Sequence, residues 1–259
     1  MIEALVQTNE DPAGPSVRRV DGSAPLRWLG LGWQDLAEHP AASLAYGLLV
    51  AAMGWVVLMF GSSRPALFAA SITGFLLVAP LIGAGLYELS RLRAAGEPAT
   101  FERSLDGVQK CQGELIRFAG VLAVIGVAWI GLSNVLFGWL FAGNPVGSAE
   151  VLYPSIFSLG NPGFLLTYML VGGVLALVSF VVSAISVPLM LDRSTGYMTA
   201  MAVSARAVSI NLGAMLFWGV LLTALMAIGF ATMLLGLVVI FPWLAHATWH
   251  AYKEVVADD

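Results

Sequence analysis

Three histidines, His39, His246 and His250, are the side chains best suited to ligate a metal or move a proton near neutral pH, and two of them stand four residues apart. That spacing puts two imidazoles on one helix face. A hydrolytic metal site would add a carboxylate close by, but Ala245, Ala247, Thr248 and Trp249 flank the pair and no HExxH frame is present. With Trp249, the pair therefore reads as anchoring at the end of a membrane helix, and neither a metal nor a cofactor is expected. Glu114 and Arg117 form an i, i+3 pair of the kind found on solvated helices. Ser179, Ser183 and Ser186 share a helix face, but that helix has no histidine to activate a hydroxyl. Hydrogen bonding to backbone or to a neighbouring helix is their expected role, and no catalytic residue is assigned. Cys111 is the single cysteine, so neither an internal disulfide nor a redox pair can form within one chain.

The elements that position these groups follow from the charge distribution. Asp, Glu, Lys and Arg are missing from 39–63, 65–87, 118–149, 151–191 and 207–252. Crossing about 30 Å of hydrocarbon takes about 20 apolar residues, so the first four runs hold one crossing each. The last, 46 residues long, holds two. The expected spans are 41–60, 66–87, 118–141, 164–191, 209–228 and 232–251, with only Gly229, Phe230 and Ala231 left for the last turn. At 59% hydrophobic and 11% charged, against about 25% charged in soluble domains, the chain is expected to be an all-α, polytopic transmembrane bundle. Residues 1–24 carry Asn9, Glu10, Asp11, Pro12, Gly14, Pro15 and Ser16, read as a mobile cytoplasmic tail with no signal-peptide core, and 25–256 read as one membrane domain. Of 12 Lys and Arg residues, only Arg64 falls on the side opposite the others in a six-span arrangement, so both termini are expected in the cytoplasm.

An internal repeat organises the spans into three helical hairpins, at about 25–93, 99–193 and 197–254. His39, Gln112 and Asn211 each precede a glycine by eight residues (Gly47, Gly120, Gly219) at the start of an odd span, and each even span carries a proline, Pro80, Pro188 or Pro242. A mid-span proline bends its helix and frees the carbonyl four residues back, which a neighbour must satisfy in lipid. Ser43, Gly47 and Ala51 give span one a face of small residues on which a second backbone can approach closely. Each copy begins with an amphipathic segment, carrying Leu26, Leu29, Trp33 and Leu36, then Phe101, Leu105, Val108 and Leu115, then Met198, Met201, Ala205 and Val208. These read either as interfacial helices with the apolar stripe in lipid or as cytoplasmic caps with it packed on protein.

The run from Gly229 to Val255 with its HATWHAY stretch, HPAASLAYG at 39–47 and SVPLMLDR at 186–193 together resemble the bacterial integral membrane proteins grouped as domain of unknown function 2189. The resemblance covers about 25–256 and implies a bacterial inner-membrane location and several spans, with no reaction attached. From the residues, a non-enzymatic scaffold or accessory subunit is expected, contacting membrane lipids and other membrane subunits but no nucleic acid. The alternative is a transporter of an apolar or amphiphilic compound that uses the bent even helices. If the three hairpins close into a ring, His39, Glu88, His246, Trp249 and His250 should approach one another at the cytoplasmic rim, the one place where a docking site is expected.

Overall fold

The computed structural model describes residues 14–38, 40–61, 81–140 and 162–257, and every element in it is helical apart from one isolated bridge. His39, Pro80, most of the second expected span and the outer loop with Glu150 lie outside the described residues. The helices are α1 (Ala24–Glu38), α2 (Pro40–Gly61), α3 (81–94), α4 (Phe101–Lys110), α5 (Gln112–Leu140), α6 (Pro162–Ser183), α7 (Ser186–Arg193), α8 (Tyr197–Ile210), α9 (Leu212–Ala231) and α10 (Leu237–Val255).

Among the described residues, four helical stretches are long and apolar enough to cross a membrane: Pro40–Met59, Gln112–Leu136, Leu166–Arg193 and Leu212–Ala231. Two boundaries differ from the sequence reading. The fifth span runs on to Ala231, and the turn occupies 232–236, because Thr232 holds it from both sides. Its hydroxyl donates to the Gly229 carbonyl at 2.8 Å and accepts from the Gly236 amide at 2.8 Å, while Met233 and Leu234 take positive φ. The helix that follows, α10, is largely buried in protein, and although its 19 residues are long enough to cross, it is not apolar enough to count among the candidate spans. The fourth span is broken at Ala184–Ile185, just ahead of Pro188, which has no N–H to return to the Ala184 carbonyl.

The packed core lies at the end of the bundle where the two ends of the described chain meet. Val17 pairs with Val256, and the Arg18 amide donates to the Val255 carbonyl at 2.8 Å. Residues 14–20, part of the segment expected to be a free tail, are thus docked; Gly14 lies against Thr199 and Val203 of α8. Trp28, Trp218, Trp249 and Tyr252 are fully buried there. The spans instead keep apolar side chains outward. On α5, Ile116, Val124, Val127 and Val135 recur at helical spacing and are about two-thirds exposed, at 69%, 68%, 69% and 67%. A stripe of that kind is stable only where the surrounding solvent is itself apolar.

Helix α10 is the axis of this core. Gly32 of α1 lies against the Ala247 backbone, and Gly47 of α2 lies against the Val238 carbonyl. That carbonyl is four residues before Pro242, so it is the one the proline leaves without its helical donor.

Candidate functional site

A buried polar cluster joins four helices at this end. Asp35 comes from the last turn of α1, Ser43 from the first turn of α2, Ser90 and Arg93 from α3, and His246 and His250 from α10. Asp35, Ser43, Ser90 and His246 are each at most 2% exposed. Ser90 Oγ donates to Asp35 Oδ2 at 2.5 Å and lies 2.7 Å from His246 Nδ1. A hydroxyl has one proton, so with that proton on Asp35 the imidazole must carry its own on Nδ1 and give it to Ser90. His246 Nε2 lies at hydrogen-bonding distance, 2.9 Å, from Ser43 Oγ. The result is a hydrogen-bonded chain from Ser43 through His246 and Ser90 to Asp35. His250 Nε2 reaches Asp35 Oδ2 at 3.1 Å, and Arg93 donates to Asp35 Oδ1 and to both oxygens of Glu38.

Burial alone would raise the Asp35 carboxyl. Hydrogen bonds from His250 and Ser90, with the two imidazoles nearby, more than offset it and hold the group below its ordinary range. The Arg93 guanidinium is held above its usual range by its bond to Glu38, against partial burial, with Asp35 adding to the effect.

The constellation contains a serine, a histidine and a carboxylate, yet its geometry does not expose a nucleophile. Ser43 Oγ is fully enclosed. The groove beside α2 is lined by Ala41 and Ala45, about 160–200° around the helix from Ser43 at 100° per residue. The arrangement works as a pin: both Asp35 oxygens, the Ser43 and Ser90 hydroxyls and both His246 nitrogens meet polar groups across helix boundaries, which is what a buried charge requires.

Of the residues expected at the rim, His246 and His250 come together around Asp35, and His39 lies outside the described residues. Glu88 does not join them. It is buried against Gly107 of α4 and chelated by Arg91, with two contacts of 2.7 Å. Ser90, two residues on and so about 200° around α3, faces α10 instead. Trp249 is buried beside Tyr252, with ring centroids 5.4 Å apart, rather than anchoring in an interface. The repeat-start residues also diverge. Gln112 is exposed, whereas Asn211 is buried, with its amide donating to the Arg18 carbonyl at 2.9 Å and its oxygen accepting from Val20 at 2.8 Å.

Ser183 and Ser186 donate to the carbonyls of Ser179 and Val182 four residues back, the backbone role expected for them. Asp35, Ser43, Ser90 and Arg93 were not singled out from the sequence as site residues. The one available signal was Trp28, Gly32 and Asp35 lying on a common face of α1, next to the Leu26–Leu36 stripe. Among the described residues no group of three or more His, Cys, Asp or Glu could hold a metal ion. No curated protein and no solved structure matches the chain. Residues 67–192 match the model of one family, described as predicted integral membrane protein (DUF2189).

Proposed function

We propose that this chain is a non-enzymatic scaffold or accessory subunit of a bacterial inner-membrane complex, built from six spans in three hairpins with both termini in the cytoplasm. The observation that carries the reading is the self-contained pin. The ionisable groups at the inner end of the bundle are used to lock α1, α2, α3 and α10 together, and the spans present apolar faces outward for lipid and partner helices.

Three like contacts support hairpins closed in a ring. Helix α1 packs on α10 through Gly32, α4 on α3 through Gly107, and α8 on the α6–α7 break through Ser204, whose hydroxyl donates to the Val181 carbonyl at 2.8 Å. Each amphipathic segment thus rests on the even helix of the preceding copy, and the first rests on the last.

Purification in mild detergent tests the scaffold role. A stoichiometric membrane-protein partner, cross-linked through the outward faces of α5 or α6, is the expected result. Recovery of the chain alone with a bound amphiphile, and uptake of that compound by proteoliposomes, would replace the scaffold with the transporter reading. Topology has its own check. A reporter fused after Lys253 or within 94–100 should report cytoplasm, and one near Glu150 periplasm. A carboxy terminus reporting periplasm would remove the six-span arrangement.

A further inference from the structure

The three amphipathic segments are not alike in the folded chain. On α4, Phe101 stacks against Tyr46 with ring centroids 4.8 Å apart, Val108 packs on the core, and Leu115, the continuation of the stripe, is buried. On α8, Val208 is buried and Met201 packs on the core, leaving Met198 outward. Each of these stripes is mostly turned into protein and keeps one apolar side chain outward, Leu105 at 40% and Met198 at 68% exposed. Helix α1 differs. Its buried face is Trp28, Gly32, Asp35 and Leu36, and from its stripe Leu26 and Trp33 stand outward, 56% and 50% exposed. Seven residues apart, these two project within about 20° of each other. Arg27, Gln34 and Glu38 form a separate exposed sector, about 80–120° further round from Leu26 at 100° per residue.

We infer that the Leu26–Trp33 face of α1 lies in the headgroup–acyl boundary of a phospholipid bilayer. Its continuity with the membrane supplies the occupant. A single residue separates Glu38 from Pro40, where the first candidate span begins, so α1 cannot stand away from the membrane surface. A water-facing polar sector and a lipid-facing apolar sector, side by side on a helix whose third face is packed on protein, are what that boundary selects. The tryptophans fix its depth. Trp33 meets Trp243 edge to face at 5.4 Å, and Trp243 Nε1 donates to the Leu29 carbonyl at 2.8 Å, so α1 is tied to α10 at the level where indoles collect. The inference rests on membrane residence and not on the scaffold role, so either can fail without the other.

Spin labels on the full-length chain in phospholipid vesicles test it. Leu26→Cys and Trp33→Cys are labelled with nitroxide, alongside Gln34→Cys as the water-side reference and the unsubstituted chain as background. Burial pushes the native Cys111 thiol up to about 11, so it contributes little label. Expected is a greater relaxation effect from molecular oxygen than from a water-soluble nickel chelate at positions 26 and 33, reversed at position 34. The same preference for nickel at all three positions overturns the inference. So does protection from both reagents at 26 and 33, which would place a protein surface there. Leu26 is exposed enough that its substitution leaves the fold intact, so the Leu26 label decides if the Trp33 variant fails to insert.

Discussion

Replacing Asp35 with asparagine is expected to cost about 3 kcal/mol of stability, read as a large drop in the melting temperature of the detergent-solubilised protein. Asparagine keeps the volume but loses the charge, and one of its two oxygens becomes an N–H donor. Asp35 Oδ2 receives Ser90 and His250, and Oδ1 receives Arg93. Whichever way the amide turns, a donor meets a donor in a site 1% exposed. The neighbouring ion pair is the control. Glu38 shares Arg93, but its side chain is 54% exposed, and Glu38→Gln should change stability by less than about 1 kcal/mol.

The pH dependence follows from the lowered Asp35 carboxyl. A carboxyl whose folded value lies below its unfolded value contributes stability that is fully present above the ordinary 3.8 and is lost as the pH falls through the folded value. Wild type should therefore show an acid-induced fall in melting temperature beginning near that pH, and Asp35→Asn should lack this component. Equal melting of Asp35→Asn and Glu38→Gln, or identical acid profiles for Asp35→Asn and wild type, would show that the cluster is not the pin between α1 and α10.

Gly47→Ala is expected to be the second severe change, again about 3 kcal/mol. A Cβ at Gly47 would lie 2.0 Å from the Val238 carbonyl oxygen, with Val238 carbon atoms at 2.7 and 2.9 Å. All three are backbone atoms, so relief requires α2 and α10 to move apart, not a side chain to rotate. That movement would also disturb Ser43, one turn before Gly47, and its bond to His246. Gly120 and Gly219 hold the matching repeat positions. Nothing lies within 4 Å of a Cβ at Gly120, and the nearest atom to one at Gly219 is 3.7 Å away on Phe180. Gly120→Ala should therefore be neutral or stabilising by about 0.5–1 kcal/mol, the ordinary gain of alanine over glycine in a helix. Thermal stability of the two variants side by side decides the matter. Equal behaviour would mean that α2 and α10 are not in close contact at Val238.

Membrane residence, helical class and the positions of α2, α5, α6 and α9 were legible in the sequence because they depend on a one-dimensional quantity. A charge-free run of sufficient length has few other stable solutions in water or lipid. The amphipathic segments were legible for the same reason, since a period of 3.6 is a local property. The sequence also pointed to a close backbone approach on the face of Ser43 and Gly47, because small residues four apart leave little else for that face to do.

Which surface each amphipathic face meets was decided only in three dimensions. Leu26 and Leu36 belong to one stripe, yet one is outward and the other buried, because α10 covers one edge of α1 and leaves the other open. Glu88 and Ser90 part company for a similar reason, with Gly107 making room for the carboxylate on one side of α3 and Asp35 drawing the hydroxyl on the other. The pin itself joins residues as far apart as Asp35 and His250, and a hydrogen bond between partners 215 positions apart leaves no trace in local spacing. The three repeat glycines look equivalent in the chain, and only the fold sets one of them beneath a carbonyl that Pro242 has left without a donor.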